Sequence, residues 1–488
     1  MIRAVARPLR DLLLPVAALA LLVAAALRLP LRPHGDAGEY LLMLESWRQH
    51  RSPELQPQDQ ESLRGFLLRE GLSIDESRIL PNYHAGRDGR LYCYHFWGYS
   101  LVGVPARWLL ESRGLSPLRA LPVTNAVLSG LALVAVACLP WTGFRRLLLG
   151  GLLLFSPALG LLMWPHPEIF SFALVTLALV LTARGRHVAA VLAAALASLQ
   201  NPPLLLFVAL VWAGAAVAAW RKRRVGIGLL ATLAFLLALL PAAFFQWQFG
   251  VFSISVRPAE AAQSLSALRA LDLAIDPNLG LLSHAPLTLL LALGGALGAL
   301  RRRQAWPAVL VLVLVPALAY ACTANSNWNN DTSGPSRYVV WMLPLLAFVA
   351  VGEIALGPTR PLGRGAGWAL GLALAVQAAA VLARGGPLAR SDFLEHSWAA
   401  RLVLDHRPSL YRPTPEVFVE RTLHHEGPFE GPVVYRDARG RCRKAWLQWR
   451  HGEALLAQCG PPPGEMAARL HANAGSRATK RDWTYIDY

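Results

Sequence analysis

Apolar runs of about 18–25 residues recur along this chain, and no other feature constrains its fold as tightly. Wound as helices, runs of that length match a hydrocarbon core of roughly 30 Å, and they are too long for barrel strands. Inside a bilayer each backbone polar group needs a partner within its own segment, so helices are the expected spanning element. Composition agrees: 55% of the 488 residues are hydrophobic and 16% are charged, against about 25% charged in soluble domains. The predicted fold class is an all-α polytopic membrane protein.

Lys plus Arg number 47 and Asp plus Glu 30, a net charge of +17. The basic clusters Arg145-Arg146, Arg184 with Arg186, Arg221-Lys222-Arg223-Arg224 and Arg301-Arg302-Arg303 sit between apolar runs. That spacing marks topology, and it argues for a bilayer and against a nucleic-acid partner. With the Arg-bearing N-terminus cytoplasmic, spans are predicted near 12–31, 119–140, 147–164, 169–183, 188–200, 203–220, 225–246, 286–300, 306–322, 338–356 and 367–383. These make about eleven crossings and put all the clusters on one side. Residues 1–30 resemble a signal peptide, but the apolar core is too long for one, and an uncleaved first helix is the better reading.

The outer loops are then 32–118, 247–285 and 323–337. Within the first, the piece 99–110 is interrupted by Pro105 and Arg107. It is short for a span and is predicted as a helix on the membrane surface. Residues 1–384 form the membrane module and 385–488 a small extracytoplasmic α+β domain, with Gly385-Gly386-Pro387 as a hinge. Alternating runs at 433–435 and 445–449 suggest strands, and the last twenty residues are expected to be loosely ordered. Cys442 and Cys459 can pair if that domain faces an oxidising compartment.

The candidate chemistry lies in the outer loops. Asp36 and Glu39, in Gly35-Asp36-Ala37-Gly38-Glu39-Tyr40, would share a face of a helix continuing from the first span. Paired carboxylates divide labour, one as general base and one as orienter or metal ligand, although a solvated helix end also accounts for them. Glu168, in Trp164-Pro165-His166-Pro167-Glu168, reads as an acid facing a helix dipole or as a second acidic element partnered by His166. Arg337 breaks the positive-inside pattern. With Tyr338 beside it, Arg337 is either a phosphate fork at a helix start or a snorkelling interface arginine. Tyr92, His84 and His95 lie in an aromatic loop suited to a sugar or phosphate, and Asn330 lies in an Asn- and Trp-rich segment suited to sugar hydroxyls. A transporter or flippase of lipid-linked sugars and a non-catalytic glycan-assembly subunit stay open as alternatives. Transporters usually show internal repeats and broken helices, for which Asn201-Pro202 is the nearest candidate.

The order of these motifs resembles the GT-C class of membrane glycosyltransferases, particularly bacterial relatives of protein O-mannosyltransferases and lipid A aminoarabinose transferase. The resemblance covers roughly residues 10–360. It rests on Asp36 and Glu39 after the first span, Asp88-Gly89 and the 98–105 stretch in the first loop, and Glu168. It also rests on Asp276-Pro-Asn-Leu-Gly-Leu281 before His284-Ala-Pro286, and Gly334-Pro335-Ser336-Arg337-Tyr338 before Leu343-Pro344-Leu345. It implies an inverting transfer from a polyprenyl-phosphate sugar donor to a hydroxyl of a glycan, lipid or protein, on the extracytoplasmic face of the inner (cytoplasmic) membrane. Asp36 would be the base, Arg337 would meet the leaving phosphate, and Glu39 and Glu168 would orient the acceptor or bind a metal. Candidates to hold a divalent cation, Mg or Mn, are Asp36, Glu168 and His166.

Overall fold

The structure, a computed structural model, describes residues 10–72, 80–254, 265–325, 327–329, 334–353, 364–388, 393–473 and 483–488. It is mostly helical. Among the described residues six helices are long and apolar enough to cross a membrane: Asp11–Arg28, Pro117–Ala137, Pro202–Arg221, Val225–Phe249, Ala305–Cys322 and Gly367–Leu388. Shorter apolar helices occupy Glu168–Ala183, His187–Ser198, Pro286–Arg301 and Arg337–Gly352. A 16-residue helix such as Glu168–Ala183 reaches roughly 24 Å, short of a ~30 Å core. The predicted stretch at 147–164 divides into the helix Gly143–Leu154 and a 3-10 turn at Pro157–Leu161. Helix length and composition therefore mark a mostly helical chain of membrane character with six candidate spans among the described residues, and the predicted count of about eleven is not carried by helix length.

The residues fall into two compact units. One comprises Met1–Ser266, Ala285–Ala324 and Tyr338–Ala389; the other comprises Ala267–His284, Asn325–Arg337 and Arg390–Tyr488. In the first unit, helix Arg10–Arg28 packs along Ala120–Ala137, which also packs on Glu168–Ala183. Gly130 permits that first pairing, because a Cβ there would lie 2.9 Å from the Leu19 Cα.

The first loop carries its own structure. The helix Ala37–His50 is followed by strand β1 (Glu54–Leu55), the helix Pro57–Arg69, strands β2 (Tyr83–Ala85) and β3 (Leu91–Cys93), and the helix Gly98–Ser112. The strands form an antiparallel sheet in the order β1-β3-β2. Pro57 opens its helix at a position where no N–H is needed, and Gln56 and Asp59 close a capping box. The Gly98–Ser112 helix buries Tyr99, Ser100, Gly103, Val104, Arg107 and Leu110, while Leu101, Val102, Trp108 and Leu109 are exposed. Arg107, read in the sequence as an interruption, turns inward. Its Nε donates to Glu45 Oε1 at 2.8 Å, with both side chains almost fully buried.

The second unit is α+β. Strands β4 (Val433–Arg436), β5 (Cys442–Gln448) and β6 (Trp483–Asp487) form an antiparallel sheet in that order. Helices Trp398–His406 and Pro415–Leu423 pack Ala400, Leu404 and Phe418 against Val433 and Tyr435. Cys442 and Cys459 are joined as a disulfide. The expectation that the last twenty residues are loosely ordered is corrected where the structure describes them, in the helix Met466–Asn473 and the strand Trp483–Asp487, while 474–482 lie outside the described residues. Trp483–Asp487 pairs with β5 and is packed on both faces, Tyr485 against the cluster of Phe418 and Val433 and Ile486, completely buried, against Ala445, Leu447 and Leu455.

Candidate functional site: an acid and histidine cluster

The first span does not continue into the acidic pair, contrary to expectation. Its helix ends at Arg28 and a new one begins at Ala37. Pro30 and Pro33 cannot donate helical hydrogen bonds, and Gly35 takes a positive φ of 55° that glycine adopts without strain. Asp36 therefore sits at the N-cap and Glu39 in the first helical turn. The Asp36 carboxylate makes no capping hydrogen bond to the helix it opens.

Three segments converge on this turn. The loop around β2 supplies Asn82, whose Nδ2 donates to Glu39 Oε1, and Tyr83, whose hydroxyl donates to the Glu39 carbonyl at 3.2 Å. The segment after β3 supplies His95, whose Nε2 lies 3.5 Å from Asp36 Oδ2 and 3.4 Å from Glu39 Oε2. The start of the Glu168–Ala183 helix supplies His166, with Nε2 3.5 Å from Asp36 Oδ2 and Nδ1 3.7 Å from Glu168 Oε1. Asp36 Oδ2 is thus shared by two imidazoles.

Aromatic packing sets the rings. Trp164 stacks on His166 with centroids 3.8 Å apart, and its Nε1 donates to the His34 carbonyl at 3.0 Å. Asn125 accepts from the Tyr99 hydroxyl at 3.0 Å and donates to the Trp164 carbonyl at 3.2 Å, tying the segment to the second long span. Tyr40 stacks on His95 at 5.0 Å and meets His166 edge-on at 5.4 Å.

Burial alone would lower the His95 pKa, but the Asp36 and Glu39 carboxylates override it and hold the ring at about 9. Burial raises the Glu39 carboxyl, opposed by His95 and Asn82 and reinforced by the Asp36 charge. A metal offers another way to balance these charges. Asp36, Glu39 and His95 each present a ligand atom, all within 4.8 Å of one another. Glu39 Oε2 and His95 Nε2 are buried and face each other at 3.4 Å, so this mixed carboxylate and imidazole set fits a divalent cation. The trio differs from the predicted set of Asp36, Glu168 and His166, which is linked to it through Asp36.

The other candidates lie elsewhere or apart. Tyr92 is held by Asp88, to which its hydroxyl donates at 2.8 Å, and by the rings of Phe244 and Phe249. His84 is exposed on β2. Tyr338 is buried in the first unit, whereas Arg337 belongs to the second, near enough to Glu416 to oppose weakly the rise that burial gives that carboxyl. Asn330 falls outside the described residues. Sequence reasoning missed Asn82, Tyr83 and Trp164. Only Trp164 carried a signal, as a tryptophan within a helix-start motif already singled out.

No family model, characterised protein or solved structure matches the chain.

Proposed function

We propose that this protein is a membrane glycosyltransferase of the GT-C type, moving a sugar from a polyprenyl-phosphate donor to a hydroxyl acceptor on the extracytoplasmic face. The observation that carries the reading is Asp36: a helix-capping carboxylate not used for capping, placed 3.5 Å from each of two imidazoles. In this reading Asp36 takes the proton of the acceptor hydroxyl. The oxygen attacks the anomeric carbon, the bond from that carbon to the phosphate oxygen breaks, and the lipid phosphate leaves with inversion. Phosphate needs no general acid, but its growing charge calls for a cation, the role assigned to Arg337. Glu39, oriented by Asn82, and Glu168, beside His166, would align the acceptor. A divalent cation held by Asp36, Glu39 and His95 would add positive charge where the acceptor oxygen is activated.

The Cys442–Cys459 disulfide supports an oxidising location for the second unit. The test is sugar transfer from a polyprenyl-phosphate donor by the full chain in nanodiscs. Asp36→Asn should lose about 10²- to 10⁴-fold in kcat, the usual yield of general-base catalysis. Transfer at the wild-type rate would remove Asp36 from that role.

A further inference from the structure

The loop that ends in Arg337 is gripped from the C-terminal segment. The Glu416 carboxylate accepts the backbone N–H groups of Trp328 at 2.8 Å and Asn329 at 3.3 Å. Glu420 Oε2 accepts from Asn329 Nδ2 at 2.7 Å, and Arg421 Nε donates to Asn329 Oδ1 at 3.1 Å. Arg421 is itself buried and donates to the Glu395 carbonyl at 2.7 Å.

The other end of the loop is tied as well. Ser336, fully buried, donates its N–H to the Leu279 carbonyl at 2.9 Å. The Leu279 N–H in turn goes to Asp276 Oδ1 at 2.9 Å, and the Tyr411 hydroxyl donates to the same carboxylate at 3.0 Å. Asn278 Nδ2 bonds His396 Nδ1 at 3.1 Å and the Tyr411 oxygen at 2.8 Å, and Asn278 Oδ1 accepts the Ser397 N–H at 2.8 Å. Two motifs far apart in sequence, Asp276-Pro-Asn-Leu and Ser336-Arg337, thus meet on a base built from residues 395–421. Burial raises the Glu416 carboxyl to about 7, opposed by the Trp328 and Asn329 N–H groups and by the Arg337 charge.

We propose that the C-terminal segment is the positioning element for Arg337, with Glu416, Glu420, Arg421 and Tyr411 holding both flanks of its loop so that the guanidinium meets the donor phosphate already placed. This rests on the reading of Arg337 as the phosphate ligand. The physical gain is preorganisation: flanks held in advance do not charge their ordering entropy against binding. None of the four residues touches the donor in this account.

The experiment uses the full chain in nanodiscs and undecaprenyl monophosphate, without sugar, as the probe. Arg337→Ala should weaken its binding about tenfold or more, the loss expected for one charge-assisted contact. Glu416→Gln should weaken it about tenfold, Tyr411→Phe should also weaken it, and Glu416→Asp should restore part of the loss. The Arg337→Ala/Glu416→Gln pair should bind no worse than Arg337→Ala alone, since both act through one guanidinium. If Arg337→Ala weakens binding while Glu416→Gln and Tyr411→Phe bind like wild type, the positioning role is overturned and the phosphate reading stands. If Arg337→Ala binds like wild type, the phosphate reading falls and takes this inference with it. Should Glu416→Gln lower the melting temperature, Glu416→Asp and Tyr411→Phe decide the matter.

Discussion

Asp36, Glu39 and His95 place one cation between two carboxylates, and the balance depends on pH. The ordinary pKa of 6.5 for His95 is raised to about 9. The imidazolium therefore contributes fully to stability below about pH 6.5, and the contribution is lost as pH rises through about 9. Thermal unfolding of the chain with chelator present should show a decline between those values that His95→Gln lacks. Parallel curves for the two proteins would remove the imidazolium from the account. A bound divalent cation needs the neutral ring, so added Mn should raise the melting temperature more at the upper end of this window than at the lower. The acids were legible because their types and spacing are unusual beside an apolar run. His95 reached them only through the β2–β3 pairing, which puts Tyr83 opposite Cys93.

At the scale of elements, two contacts set how the loop and the spans pack. The Arg107–Glu45 pair holds the Gly98–Ser112 helix on Ala37–His50, whose first turn carries the site. Arg107→Ala would strand a buried carboxylate and should cost about 3–5 kcal/mol, whereas replacing both residues with leucine should recover most of that loss. Chemical denaturation in detergent, comparing the single and double variants, checks the difference. Gly130 is the other contact. Gly130→Ala would push against the Leu19 backbone and side chain and should destabilise the pairing of the first two spans by about 1–3 kcal/mol. A thermal melt within error of wild type would show that the helices separate without cost. The helix expected at 99–110 is present as Gly98–Ser112. Its interruptions were misread because a charge in an apolar run looks like an exposed break until its partner, 62 residues away, is known.

For the whole molecule, the second compact unit is not the tail alone. It draws Ala267–His284 and Asn325–Arg337 out of the predicted outer loops. A chain truncated after 389 would leave Asp276 without Tyr411, Asn278 without His396 and Ser397, and Asn329 without Glu420 and Arg421. Limited proteolysis read by mass spectrometry should then show new cleavage within 267–284 and at 327–329 and 334–337 that the full chain resists. An unchanged cleavage pattern would mean that these segments fold without the tail.

Local composition by itself pointed to the helical membrane character and the α+β nature of the tail, and it offered the pairing of Cys442 with Cys459 as a condition on the compartment, which the structure then shows. Run length, alternation and cysteine count are properties of neighbouring residues, and the physics acting on them is short in range. Only the tertiary structure decided that Asp36 shares an oxygen with His95 and His166, that Arg107 is an anchor, and that the Asp276 and Arg337 motifs meet on the C-terminal segment. Those contacts join residues tens to more than a hundred positions apart. Each partner taken alone has an ordinary solvated explanation, and the energy that selects the pairing exists only once the chain has folded.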